Sequence, residues 1–170
     1  MSKKKRLNIR GLSLLLIVAA ITAGALFFYF WINREPSINV YFMKGGTLVA
    51  CPRTLHKGAE PLSKAAFGLL AGPTDAEKAD GCFSEIPKGT QVLSLRKDGE
   101  VLIVNFNEKL QSYGGGSAKV RGLVAQVVYT FTEVPGIKKV RIMIEDQKDV
   151  TLGGEGYVID RPLSREDVNY

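Results

Sequence analysis

His56 is the only histidine in 170 residues, so any imidazole-based acid–base or nucleophilic chemistry must use it. Cys51 lies five residues earlier, and a Cys–His nucleophile pair is formally possible at that spacing. The blander reading, a disulfide cysteine beside a surface histidine in a loop, is preferred. A serine triad is argued against by the single histidine and the lack of G-x-S-x-G. Zinc fares no better: there is no C-x-x-C, and Cys51, Cys82 and His56 supply at most three soft ligands. Gly114-Gly115-Gly116-Ser117 before a helical stretch invites an anion-binding reading. It matches neither G-x-x-x-x-G-K-[ST] nor G-x-G-x-x-G, Lys119 standing where the latter needs glycine. A flexible lead-in to a buried helix is the better account. Asp75, Glu77, Asp80 and Glu85 interleave with Lys78 and Lys88 without calcium-loop spacing, and read as a solvated loop. Glu145-Asp146 and Asp149 read as a charged turn. These residues predict no catalytic centre, metal or cofactor.

The compartment is written in the first 35 residues. Lys3, Lys4, Lys5, Arg6 and Arg10 precede a charge-free run over residues 11–33, long enough for a hydrocarbon core of about 30 Å. The basic flank predicts an N-terminus in the cytoplasm and the remainder outside it, with Phe27, Phe28, Tyr29, Phe30 and Trp31 at the outer interface. The rival is a cleaved signal peptide at Ala23-Gly24-Ala25, which would leave an aromatic run as the new N-terminus. A lipoprotein is disfavoured because the first cysteine, Cys51, lies far beyond the apolar run. The organisation is thus a basic tail (1–10), a signal-anchor helix (11–33), a spacer (34–37), one domain (38–162) and a flexible tail (163–170).

This partition explains the formal charge of +6. Five of the 23 Lys and Arg lie in the first ten residues, leaving 18 against 17 acids, all at or beyond Glu35. The outer part is nearly balanced, which argues against a nucleic-acid surface. Cys51 and Cys82 both fall there, and in an oxidising compartment such a pair most often bonds. A disulfide is expected, worth about 3–4 kcal/mol on the chain-entropy model; two free buried thiols are the alternative.

Ile38, Val40 and Phe42 alternate with polar or exposed-type positions as a half-buried strand, Lys44-Gly45-Gly46 turns it, and residues 47–51 return until Pro52 ends the pairing. Pro61 opens a helix whose Leu62, Ala65, Ala66, Leu69 and Leu70 share one stripe, closed by Gly72-Pro73. Residues 92–96 and 101–106 flank Lys97-Asp98-Gly99-Glu100, a hairpin signal of type I′ at Asp98-Gly99. Ser117 is a plausible cap for a second helix carrying Val120, Leu123, Val124, Val127, Val128 and Phe131. Val140, Ile142 and Ile144 form a strand, residues 146–156 are turn-rich, and residues 157–159 make a short last strand. The order β-β-α-β-β-α-β predicts an α+β two-layer sandwich, two helices covering one face of a single mixed sheet.

Four segments stand in this order: Leu69-Leu70-Ala71-Gly72-Pro73-Thr74, Ile86-Pro87-Lys88-Gly89-Thr90, Val104-Asn105-Phe106 and Tyr129-Thr130-Phe131-Thr132-Glu133-Val134-Pro135. Over residues 38–160 the pattern resembles the GerMN domain family of sporulation and spore germination. The resemblance implies a non-enzymatic module similar to ring-building domains of secretion-type channels. It places Leu70, Gly72, Pro73, Thr74, Pro87, Gly89, Thr90 and Thr130 as family-motif structural positions. Members in spore-formers carry two copies in tandem and a lipid anchor; here one copy follows a transmembrane anchor. Arg53 matches the family's arginine after the second strand. It either caps a carbonyl or pairs with a loop carboxylate, or else anchors an interface. The expected partners are the membrane and an envelope protein or a second copy. A cell-wall glycan or peptide ligand is the alternative, with Tyr41, Tyr113, Tyr129 and Tyr157 showing no evident shared face.

Overall fold

The computed structural model describes residues 9–32, 35–112, 116–153, 156–168 and 170. The chain divides into two compact units, Met1–Glu35 and Pro36–Tyr170. In the first, α1 (Ile9–Ile32) is one helix of 24 residues, and its stretch Leu15–Ile32 has mean hydropathy 2.3. It is long and apolar enough to cross a membrane. Lys3, Lys4, Lys5 and Arg6 lie outside the described residues.

In the second unit, β1 (Ser37–Lys44) and β2 (Thr47–Thr54) form an antiparallel hairpin with Val40 opposite Cys51 and Phe42 opposite Val49. Ile38, Val40 and Phe42 point into the core, as the period of two requires. The pairing does not stop at Pro52: it runs on, Pro52 opposite Asn39, to Thr54. β2 is an edge strand, where a missing N–H deprives no neighbouring strand of a donor.

Pro61 stands in the first turn of α2 (Pro61–Ala71), and the Glu60 carboxylate accepts from the Leu62 and Ser63 N–H groups at 3.2 and 2.6 Å. Ala65, Ala66 and Leu69 turn inward. Gly68 does too: a Cβ there would stand 2.8 Å from Val40 Cγ2 and 3.5 Å from Arg53 Cγ, so only glycine permits this approach of helix to strand. The acidic stretch that follows is not a loop but a short helix, α3 (Asp75–Ala79). Thr74 Oγ1 accepts from Glu77 N–H (3.3 Å) while the Glu77 carboxylate accepts from Thr74 N–H (2.7 Å), a reciprocal capping box.

β3 (Val92–Asp98) runs antiparallel to β4 (Val101–Phe106), and β4 parallel to β5 (Lys139–Ile144). The parallel pair needs a crossover, which α4 (Ser117–Phe131) supplies. Asp98 pairs with Val101, so the hairpin turns on Gly99 and Glu100, and of these only Gly99 (φ 59°) has positive φ. That is the type II′ arrangement rather than the I′ turn expected at Asp98-Gly99. Ser117 is the first helical residue, not the cap; Gly116 takes that place with no side-chain bond.

The class is α+β, with α2 and α4 packed on each other and against β1, and α4 also against β5. The single mixed sheet is replaced by three hydrogen-bonded groups: β1-β2, β3-β4-β5, and β6 (Val150–Leu152) with β7 (Tyr157–Ile159). Backbone satisfaction explains the division. Part of the free edge of β1 is used elsewhere: Tyr41 N–H donates to Thr130 Oγ1 (3.0 Å), and Met43 exchanges two bonds with Phe83 (2.9 and 2.8 Å). Phe42, Phe106 and Phe131 are fully buried at the centre; truncating any to alanine costs about 3–5 kcal/mol. Of the tail expected to be flexible, residues 163–168 pack on the domain. Leu163 exchanges two backbone bonds with Val140 (2.8 and 2.9 Å), and a 3-10 turn, Arg165–Val168, buries Val168.

Candidate functional site

Two of the four motif segments, residues 69–74 and 86–90, meet at a groove of about 370 Å³. Leu70, Gly72 and Pro73 line it from the end of α2. Cys82, Phe83, Ile86, Pro87 and Lys88 line it from the segment after α3. Gly72 closes α2 at φ 77°, and Pro73 cannot continue it, so the chain turns into the Thr74 cap. On the other wall, Thr90 Oγ1 donates to the Pro87 carbonyl (2.8 Å), while Gly89 (φ 86°) offers its carbonyl to Asn107 Nδ2 (3.0 Å). The wall is held from behind by Gln126, fully buried on α4. Its amide oxygen accepts from Glu85 N–H (2.7 Å) and its Nε2 donates to the Tyr41 carbonyl (3.1 Å). Thr130, also fully buried, serves β1 as described. Phe83 in the groove is 44% exposed, and Phe67, one turn before Leu70 on α2, is 69% exposed.

Arg53 stands behind the groove. Its guanidinium forms a two-pronged bond with Glu77 at 2.7 and 2.8 Å, and lies 5.5 Å from the centre of the Phe42 ring. The two side chains are only 15% and 20% exposed. Of the roles open to Arg53, the structure realises pairing with a carboxylate, which belongs to a short helix rather than a loop, and Nη1 also donates to the Pro52 carbonyl (3.1 Å), so the arginine has little surface left to anchor an interface. Arg53 and the Thr74 N–H hold the Glu77 carboxyl down at about 2.

The expected disulfide is not formed: Cys51 and Cys82 are free thiols, each packed in the core as a small apolar side chain. Burial, reinforced by the charge of Glu77 and by Cys82, pushes the Cys51 thiol up to about 12. It is held protonated at neutral pH, which argues against a thiolate nucleophile in a Cys–His pair. Among the described residues no three His, Cys, Asp or Glu side chains gather as metal ligands. Gly114 and Gly115, half of the anion-binding reading, and Tyr113 lie outside the described residues.

A second polar cluster was not foreseen. Tyr41 and Tyr129 do share a face, edge to face with ring centres 5.4 Å apart. Glu133 accepts from Tyr41 Oη (2.9 Å), Asn39 Nδ2 (3.1 Å) and Arg165 (2.5 Å). Burial pushes the Glu133 carboxyl up, but the bonds from Arg165, Tyr41 and Asn39 outweigh it and leave it below the ordinary value. Glu77 had a local signature, Thr-x-x-Glu at residues 74–77. Arg165 had none.

These features define an α+β domain whose motif residues build a groove and its supports, and its fold is similar to solved GerMN domains. The first GerMN domain of the sporulation protein GerM from Bacillus subtilis aligns with TM-score 0.64 at 22% identity, over 78% of this chain and 99% of that one. The tandem GerMN domains of the same protein give 0.63 at 21% identity; 78% of this chain is covered, and the chain spans about half, 47%, of that one. A candidate lipoprotein from Clostridium perfringens gives 0.56 at 19% identity, over 79% and 93%. No curated protein matches the chain. Residues 39–150 match the Germane family, described as sporulation and spore germination, and the chain belongs to that family.

Proposed function

We propose that this protein is a membrane-anchored interaction module of the bacterial envelope. Its N-terminus lies in the cytoplasm, and its single GerMN-type domain is displayed on the outer side to bind an envelope protein or a second copy. The observation that carries this is the groove: four family-motif positions, Leu70, Gly72, Pro73 and Pro87, line it, and Phe83 stays exposed within it. Exposed aromatic anchors beside a shaped apolar cleft suit recognition. The role is read as non-enzymatic, since the Cys51 thiol is protonated and the carboxylates of Glu77 and Glu133 are spent on arginines.

Crosslinking of the tagged full-length protein in its native membranes, followed by mass spectrometry, tests the reading. Links from the groove or from the α2 face carrying Phe67, either to itself or to one envelope assembly, are expected. Recovery of cell-wall material alone would overturn it in favour of a glycan- or peptide-binding domain. The same experiment bears on sporulation, since the partner recovered identifies the process served.

A further inference from the structure

We propose that the groove takes a short acidic and apolar peptide segment of an envelope protein, with a few large apolar side chains entering the cleft and neighbouring carboxylates meeting Lys88 and Lys78. The proposal rests on the interaction-module reading above and names the chemistry of its partner. Size comes first. At about 370 Å³ the groove is near the small end of ligand clefts, which run from about 300 to 1,000 Å³. That holds a few side chains, not the roughly 20–30 residues that a standard protein face contributes, so the occupant is a segment rather than a docked domain. Pro73, Phe83, Ile86 and Pro87 give the cleft apolar walls. Ala71, which also lines it, stands four residues after Phe67 on α2, so the exposed Phe67 side chain continues the apolar surface one helical turn beyond the cleft.

Charge decides the rest, because it is one-sided. The charged residues lining the groove are Lys78 and Lys88, and no carboxylate lines it. Acids do stand nearby, but each is already matched. Glu77 holds Arg53 at 2.7 and 2.8 Å, Asp80 accepts from Lys44 (2.6 Å), and Asp75 accepts from Lys78 (3.0 Å). Lys88 is exposed and, among the described residues, meets no carboxylate. The Lys78–Asp75 pair is itself open to water, its side chains 58% and 100% exposed, so Lys78 is free to turn to an incoming partner. An ammonium beside apolar walls attracts a segment carrying carboxylates and turns away a basic one, which sets specificity and encounter rate more than raw affinity. Lysine, a point charge on a flexible stem, suits acids whose places along the segment vary.

The test pans a phage-displayed library of short random peptides on the full-length chain in lipid nanodiscs, with empty nanodiscs removing membrane binders. Enriched sequences that set Asp or Glu beside large apolar residues are expected. A synthetic peptide of the leading sequence should bind K78E/K88E about tenfold more weakly, because two attractions become repulsions. It should regain affinity for that variant when its own acids are replaced by lysine. No enrichment, enriched sequences without acids, equal binding by parent and variant, or no regain on exchanging the charges overturns the proposal. Should K78E/K88E lose the parent's circular dichroism, K88E alone decides by the same criteria. Failed panning with membrane crosslinks still mapping to the groove removes this proposal alone and leaves the interaction module standing. Crosslinks that avoid both the groove and the α2 face would remove the reading beneath it as well.

Discussion

Two arginine–glutamate pairs brace this domain, and they differ in what they join. Arg53 and Glu77 are 24 residues apart, bonded by two prongs, and sit at 15% and 20% side-chain exposure inside the family-matched stretch. Arg165 and Glu133 are 32 residues apart; one nitrogen meets the carboxylate, the arginine is 38% exposed, and it lies beyond that stretch. The first pair ties β2 to the cap of α3 and so braces the groove. The second fastens the C-terminal segment to α4. The same chemistry is largely closed off from water in one place and left more open to it in the other.

The comparison breaks most sharply at Arg53. Arg53→Glu places two carboxylates together in a poorly solvated position and should destabilise by roughly 3–5 kcal/mol, read as a lower midpoint in urea at unchanged slope. A variant as stable as the parent would mean that the joint is dispensable. Acid should act next. Glu77 is ordinarily near 4.5 and is held at about 2 in the fold, so its stabilisation is present above about 4.5 and fades as pH falls towards 2. Thermal midpoints should therefore hold steady between pH 7 and 5 and drop below that, by on the order of 2 kcal/mol from this group. Glu77→Gln should flatten the drop, and an unchanged profile would assign acid sensitivity elsewhere.

Smaller effects separate the two regions further. Arg165→Ala should cost about 1–2 kcal/mol, since it removes hydrogen bonds in a partly solvated place. Hydrogen exchange should rise in residues 163–170 and at the end of α4 but not around α3. Faster exchange at α3 as well would show that the two braces are one cooperative unit. Phe67→Ser should change stability by less than about 0.5 kcal/mol, its side chain being mostly in water. It should nevertheless reduce crosslinks in membranes, and unchanged crosslinks would take α2 out of the interface.

Much of the scaffold was legible because its signals are local. The alternation in β1, the stripes of α2 and α4, and the Gly72-Pro73 stop each depend on a few consecutive residues. Where neighbouring rules competed, detail was lost. Pro52 reads as a breaker, yet an edge strand tolerates it, and Asp98-Gly99 reads as the turn centre, yet register moves the centre to Gly99-Glu100. Thr74 and Glu77 carried a cap signal that the run of charges concealed. The Arg165 cluster was illegible in principle, because Asn39, Tyr41, Glu133 and Arg165 meet only through tertiary packing. The cysteines misled for a related reason: compartment predicts oxidation, but only packing decides whether two thiols are oriented to bond.

Gly68 carries a consequence for the groove although it does not line it. The distance between α2 and β1 is set there by a missing methyl group, with Val40 filling the space. Any side chain at that position must lever the helix outward, and the C-terminal end of α2, carrying Leu70 and Gly72, would swing with it. The cleft is thus calibrated from its far side, by an atom that is not there. Gly68→Ala therefore offers a way to alter the aperture while every residue inside it stays the same.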